Sequence, residues 1–237
     1  MSLLRIDVWS DIACPWCYVG KRRLEAALEA AAPRNPPGGT IEVVWRAFEL
    51  DTSAPRVLDT TVPYAERLAK KYRTSPAQAQ GMIDQMTKTA AADGLDFHFE
   101  KIQPGNTFDA HRLVHLGLER GVQDAVKERF LRAYLEEGAA IGDRDVLVKL
   151  AHDAGLDEPE AAEVLATDRY AAEVRADEAQ AREYGISGVP FFVIGGRLGV
   201  SGAQPTDVLA AAIAQGWQEL GKLAPFAEGA ACGPDGC

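Results

Sequence analysis

Residues 11 to 23, DIACPWCYVGKRR, set two cysteines either side of a Pro-Trp pair, after an apolar run and before a helix-forming stretch. No other part of the chain constrains the fold as strongly. Residues 3 to 9, LLRIDVW, alternate apolar and polar as a half-buried strand does, and residues 15 to 32 carry Leu24, Ala27, Leu28 and Ala31 at helical spacing. PRNPPGG, 33 to 39, breaks that helix, and TIEVVWRAFEL, 40 to 50, is a second β-rich run. The opening fifty residues therefore read as a βαβ unit, with the cysteines where the helix begins.

From about residue 60 to 184 the pattern becomes helical. Ser75, Pro76 and Gln78 supply an N-cap, a proline at N1 and a capping-box partner, and Gly94 closes that helix. Asn106 is expected to cap TFDAHRLVHLGLER, and Gly121, Gly138, Gly155 and Gly185 end helical stretches. Strand chemistry returns in GVPFFVIGGRLGVSG, 188 to 202, as a hairpin around Gly195-Gly196, followed by a helix from Pro205 to about Leu223. The expected organisation is one α/β domain from residues 1–55 and 184–224, a helical insertion over 56–183, and a tail over 225–237.

The cysteine spacing carries the chemistry. With Cys14 at the N-cap, Pro15 is N1, Trp16 N2 and Cys17 N3, and the proline removes an amide that has no helical partner. A thiolate at Cys14 is then expected to accept the N2 and N3 amides and to feel the positive helix end, so its pKa should fall. Lys21, Arg22 and Arg23 push the same way more weakly, and Asp11 opposes. Two intervening residues bring the sulfurs within disulfide reach, and Cys17, deeper in the helix, is the natural resolving thiol. Two inert buried thiols remain an alternative. So does a zinc site made from this pair and the tail pair, Cys232 and Cys237.

The chain has 25 basic and 35 acidic residues, a formal charge of −10, which gives a nucleic-acid or anionic membrane partner little support. Its first residues lack a basic, then long apolar, leader pattern, and eighteen apolar residues never run together, so the expected location is cytoplasmic. In that reducing setting, four cysteines in two close pairs mean catalysis or metal more often than a permanent staple. His111 and His115, four apart, are expected to be partly exposed polar positions, and no metal is assigned to them. The basic AKKYR, 69 to 73, reads as a solvated face, and residues 170 to 185 as a surface helix.

Strand, CPWC, helix, a long helical stretch and then SGVPFF before a hairpin resemble the DsbA-like branch of the thioredoxin superfamily. DIACPWCYVGKRRLE, NTFDAHRL and SGVPFFVI are similar to FrnE-type proteins, which stand close to 2-hydroxychromene-2-carboxylate isomerases and kappa-class glutathione transferases. The resemblance covers about residues 3 to 222. It implies a thioredoxin-like α/β fold with a large helical insertion, Cys14 as nucleophile, Cys17 as resolver, and a cis Val189-Pro190 bond opposite Cys14 serving as substrate platform. Trp16, Asn106 and His111 are the further expected substrate contacts, with Arg112 beside His111.

The expected function is that of a thiol-disulfide oxidoreductase, a reductase or isomerase of protein disulfides, acting on disulfide-bearing proteins or small thiols and recharged by a cellular reductant. No resident cofactor is expected, and glutathione enters as reductant or ligand. The resemblance also implies a rival, a glutathione-dependent isomerase or transferase; enzymes of that side usually carry serine where Cys14 stands. A zinc-held module and a chaperone-like binding domain are the other rivals. Cys232 and Cys237 flank turn-forming Gly-Pro-Asp-Gly and are expected to act as a second redox pair that exchanges with the first.

Overall fold

The computed structural model describes residues 2–56 and 61–221. The tail pair Cys232 and Cys237 lies outside the described residues. Strand β1 (Leu3–Ser10) leads into helix α1 (Pro15–Ala31), and β2 (Thr40–Ala47) returns parallel to β1, with Leu3 opposite Thr40 and Ser10 opposite Ala47. Strand β3 (Phe191–Ile194) pairs antiparallel on the other side of β1 and forms a hairpin with β4 (Leu198–Ser201), giving the order β2-β1-β3-β4. Gly195 and Gly196 both take positive φ in the hairpin turn, the conformation for which glycine carries no steric penalty.

Period-two alternation in β1 builds the centre of the molecule. Leu4, Ile6 and Val8 are fully buried, each contributing about 1.5–3 kcal/mol of transfer free energy. Helices α1 and α9 (Thr206–Gly221) pack against one another and reach this side of the sheet. At Gly216 the approach is so close that a Cβ would lie 2.5 Å from Ile194 Cγ2 and 3.3 Å from Leu4 Cδ1. The opposite phase of β1 carries Trp9, which packs with Val193, Ala181 and Ile186.

Between β2 and β3 the regular elements of the described residues are all helical: α2 (Tyr64–Tyr72), α3 (Pro76–Ala92), α4 (Phe108–Glu119), α5 (Gln123–Arg132), α6 (Arg144–Asp153), α7 (Glu158–Ala166) and α8 (Ala171–Glu183), with short 3₁₀ and π turns. The Ser75/Gln78 capping box forms as expected. The next cap is displaced by one residue: Thr107 is the N-cap of α4, and Asn106 instead accepts the Phe108 amide at 2.9 Å in a local turn.

The insertion is bolted to the sheet by polar side chains. The Gln123 side chain accepts the Trp45 amide at 3.0 Å and donates to the Trp45 carbonyl at 2.9 Å, satisfying the outer edge of β2 as another strand would. Lys21 and Arg22 of α1 pair with Asp124 and Glu128 of α5. Among the described residues no helix is long and apolar enough to cross a membrane.

Candidate active site

Cys14 is the N-cap of α1 in an extended conformation and Pro15 occupies N1, as the sequence predicts. The expected role of the sulfur is corrected. Cys14 makes no side-chain cap, and its thiol instead donates to the Val189 carbonyl at 3.6 Å. Its backbone carbonyl takes the Cys17 amide at 3.0 Å. The Val189-Pro190 peptide bond is cis, and the CPWC turn and the Val-Pro segment face each other across this contact.

Both thiols are free, and only Cys14 has any exposure, 5% against 0% for Cys17. Their protons are not shared evenly. The hydrogen bond with Cys17, and then burial, push Cys14 well above the ordinary thiol value. Burial pushes Cys17 up too, but the bond from Cys14, the Lys127 charge and Ser10 outweigh it and leave Cys17 lowered. The upward direction for Cys14 is the reverse of the sequence expectation. The basic run that was to help Cys14 is already spent: Lys21 and Arg22 are paired with Glu25, Asp124 and Glu128, and Arg23 with Asp93.

Beneath the pair lies a polar layer. Asp11 Oδ2 accepts the Leu50 amide at 2.8 Å and Oδ1 faces His111 Nε2 at 3.3 Å. Burial works against the Asp11 charge, but the His111 contact and the Leu50 amide hold its carboxyl below 3.8; burial holds His111 below 6.5. An ionised Asp11 can only accept, so His111 is neutral and donates from Nε2. Both groups bind more protons unfolded than folded, so both make stability rise with pH. The His111 share is complete above 6.5 and is lost as pH falls through that value; the Asp11 share is lost only below 3.8. Urea midpoints measured across this window should therefore decline from pH 6.5 downward, and His111→Gln should flatten the upper part of the decline.

The other expected contacts are placed differently. Trp16 is 46% exposed at the turn. The Asn106 amide donates to Glu49 Oε1 at 3.0 Å, and that carboxylate also pairs with Arg175. His111 and His115 are buried, not partly exposed, because each is matched to a buried carboxylate; His115 meets Asp177 at 2.9 Å. Arg112 points elsewhere, to Asp109 and to carbonyls of Val164, Thr167 and Arg169. No group of His, Cys, Asp and Glu suited to a metal ion occurs among the described residues.

Sequence reading missed Lys127, Ser10 and Gly20. The first two sit in plain helical and strand patterns and give no local signal. Gly20 falls on the buried face of α1, where a Cβ would lie 2.8 Å from Pro190 Cγ and 3.4 Å from the Phe192 ring. Gly20→Ala should therefore forfeit the usual helix gain of about 1 kcal/mol and instead destabilise by about 1–3 kcal/mol. Because the displaced ring follows Val189, whose carbonyl accepts the Cys14 thiol, any turnover at Cys14 should slow as well. Thermal unfolding together with turnover checks this; unchanged values in both would show that the Pro190 ring yields without consequence.

A four-stranded mixed sheet with a CxxC at the start of its first helix and a Val-Pro segment facing it defines the thioredoxin-like class, here with a large helical insertion. Residues 5–214 match the model of the DSBA-like thioredoxin domain, and the chain belongs to that family of oxidoreductases. It is 31% identical over 212 residues to the Bacillus subtilis (strain 168) protein YwbO, covering 89% of this chain and 96% of that one. The structure of the probable DsbA oxidoreductase SCO1869 from Streptomyces coelicolor superposes with a TM-score of 0.84 at 45% identity, covering 99% of this chain and 98% of that one. A 2-hydroxychromene-2-carboxylate isomerase shares the fold, with a TM-score of 0.63 at 16% identity over 93% of this chain and 99% of that one.

Proposed function

We propose that this chain is a cytoplasmic, FrnE-type thiol-disulfide oxidoreductase that reduces or isomerises protein disulfides through Cys14 and Cys17. The observation that carries the reading is the pair of free thiols one helical turn apart, of which only Cys14 is reachable and Cys17 stands hidden behind it. Cys14 attacks one sulfur of a substrate disulfide, the old S–S bond breaks, and the leaving thiolate takes up the proton that Cys14 gives up. Cys17 then attacks the Cys14 sulfur, the mixed disulfide breaks, and the second thiol departs, leaving a Cys14-Cys17 disulfide for a cellular thiol such as glutathione to reduce.

The surroundings suit an extended peptide. Trp16 and Leu50 are exposed apolar groups on the CPWC turn and on the segment held by Asp11. The Val189 N–H donates to no acceptor among the described residues, which leaves it for edge pairing with a substrate backbone. Asn106 and His111 shape this site through Glu49 and Asp11 rather than by offering free hydrogen-bonding groups. Nucleic acid, membrane and a resident cofactor have no part in the scheme. Cys232 and Cys237 would serve as an accessory pair that exchanges with the first.

The test is reduction of insulin disulfides by the full chain with glutathione as reductant, beside the equilibrium of the Cys14-Cys17 disulfide against glutathione. Turnover with a defined equilibrium constant supports the proposal. Tight glutathione binding without disulfide turnover would replace it with the glutathione-dependent isomerase or transferase reading, and stoichiometric zinc in the purified chain with a metal-held module.

A further inference from the structure

A second concave site lies in the helical insertion. Helix α3 turns Gln80, Ile83, Asp84 and Thr87 towards it, positions i, i+3, i+4 and i+7 that share one helix face. The start of α2 adds Tyr64, and the segment 96–100, DFHFE, adds Phe97, Phe99 and Glu100. Alternation shapes that segment: Phe97 and Phe99 are buried while Asp96 and Glu100 are exposed. These groups bound a cavity of about 360 Å³, within the roughly 300–1,000 Å³ of ligand pockets. Its floor is aromatic. Phe99 meets Tyr64 at 5.2 Å and Phe97 at 5.8 Å between ring centroids, and Phe97 stacks at 5.9 Å on Tyr18, the residue after Cys17. A row of rings thus runs from the helix that carries the cysteines to the cavity.

The rim is acidic and uncompensated. Asp84 and Glu100 are exposed, and among the described residues neither pairs with a lysine or arginine: Asp84 accepts from Gln80 at 2.8 Å, and Glu100 meets His98, whose other nitrogen faces Asp96. Elsewhere on the insertion, surface carboxylates are matched, as Glu119 and Glu160 are to Arg120 and Arg169. No lysine or arginine among the described residues lines the cavity; Arg67 of α2 is turned to the Ile102 carbonyl at 3.4 Å and over the Tyr64 ring. Thr87 spends its hydroxyl on the Ile83 carbonyl at 3.0 Å. An anion such as glutathione finds no countercharge here. An apolar side chain with a cation beside it finds a floor and a rim that suit both parts.

We propose that this cavity is a second substrate-binding site, which takes an aromatic or aliphatic side chain flanked by lysine or arginine from an incompletely folded polypeptide whose disulfide Cys14 attacks. This rests on the oxidoreductase reading and names its substrate class. Apolar anchors stay exposed beside their cysteines only in a chain that has not finished burying them. Reach is not limiting. A segment of about ten extended residues spans roughly 33–36 Å, more than the length of α1 at about 25 Å, and α1 packs against α3.

The test uses the full chain and two labelled peptides that differ only in carrying Lys-Phe-Lys or Glu-Phe-Glu about ten residues from a cysteine. With that cysteine replaced by serine they report binding; as symmetric disulfides, with glutathione as reductant, they report turnover. Fluorescence anisotropy should show the lysine peptide binding about tenfold more tightly, and its disulfide should have a KM lower by a similar factor at little change in kcat. Asp84→Lys with Glu100→Lys, both at exposed positions, should bring the two affinities together, and glycine in place of the peptide's phenylalanine should cost the lysine peptide most of its advantage. Equal affinities in the unsubstituted chain would overturn the proposal. So would a preference that survives the double charge reversal or that does not need the phenylalanine, since attraction to the net charge of −10 alone would then account for it. A preference in binding with no turnover of either disulfide would overturn the oxidoreductase reading instead.

Discussion

Cys14→Ser is expected to bring disulfide turnover to the uncatalysed background while leaving the fold intact. The attacking atom must be a sulfur, because a serine hydroxyl ionises far too weakly to displace a thiolate. Cys17 cannot substitute for it, being wholly buried behind Cys14. The complementary Cys17→Ala keeps the reachable sulfur but removes the resolver, and should arrest the chain as a mixed disulfide after one exchange. Insulin reduction with peptide mass spectrometry of the trapped species checks both, best with Cys232 and Cys237 also replaced so that the tail cannot resolve the adduct. Full function in Cys14→Ser would point to a chaperone-like groove that binds without chemistry.

Arg112→Met should produce the largest loss of stability among the substitutions considered. The guanidinium is almost completely buried and reaches the Val164, Thr167 and Arg169 carbonyls, joining α4 to the end of α7 and the start of α8, while also pairing with Asp109. Methionine fills much of the volume but leaves the carbonyls without donors. Asp109 keeps Arg56 and Arg144, so the carboxylate is not stranded. Breaking such a buried network costs about 3–5 kcal/mol, which for a chain of this size lowers the melting temperature by roughly 6–20 °C. Calorimetry checks this. Since Arg112 does not touch the cysteines, turnover below the new melting temperature should persist.

These two residues show what could be read in advance. The CPWC motif was legible because proline at N1 and two-residue spacing are local facts, independent of what packs above them. The sheet was legible for the same reason: β1, β2 and the hairpin announce themselves by alternation and by glycines at the turn, and they form where expected. Arg112, by contrast, lies next to His111 in sequence and invited a shared role. Successive helical residues point about a third of a turn apart, so one meets Asp11 under the active site and the other meets α7.

By itself the sequence determined the order of the elements, the thioredoxin-like class, and the place of the cysteine pair at the start of α1, because secondary structure and helix capping depend on neighbours a few residues away. The tertiary structure alone decided that the Cys14 thiol is buried against the Val189 carbonyl and pushed above its ordinary value. That placement turns on burial and on Val189, which stands 175 positions beyond Cys14 in the chain. The electrostatic energy of a thiolate is set by charges a few ångströms away in space and by the exclusion of water, and neither leaves a periodic mark in the sequence.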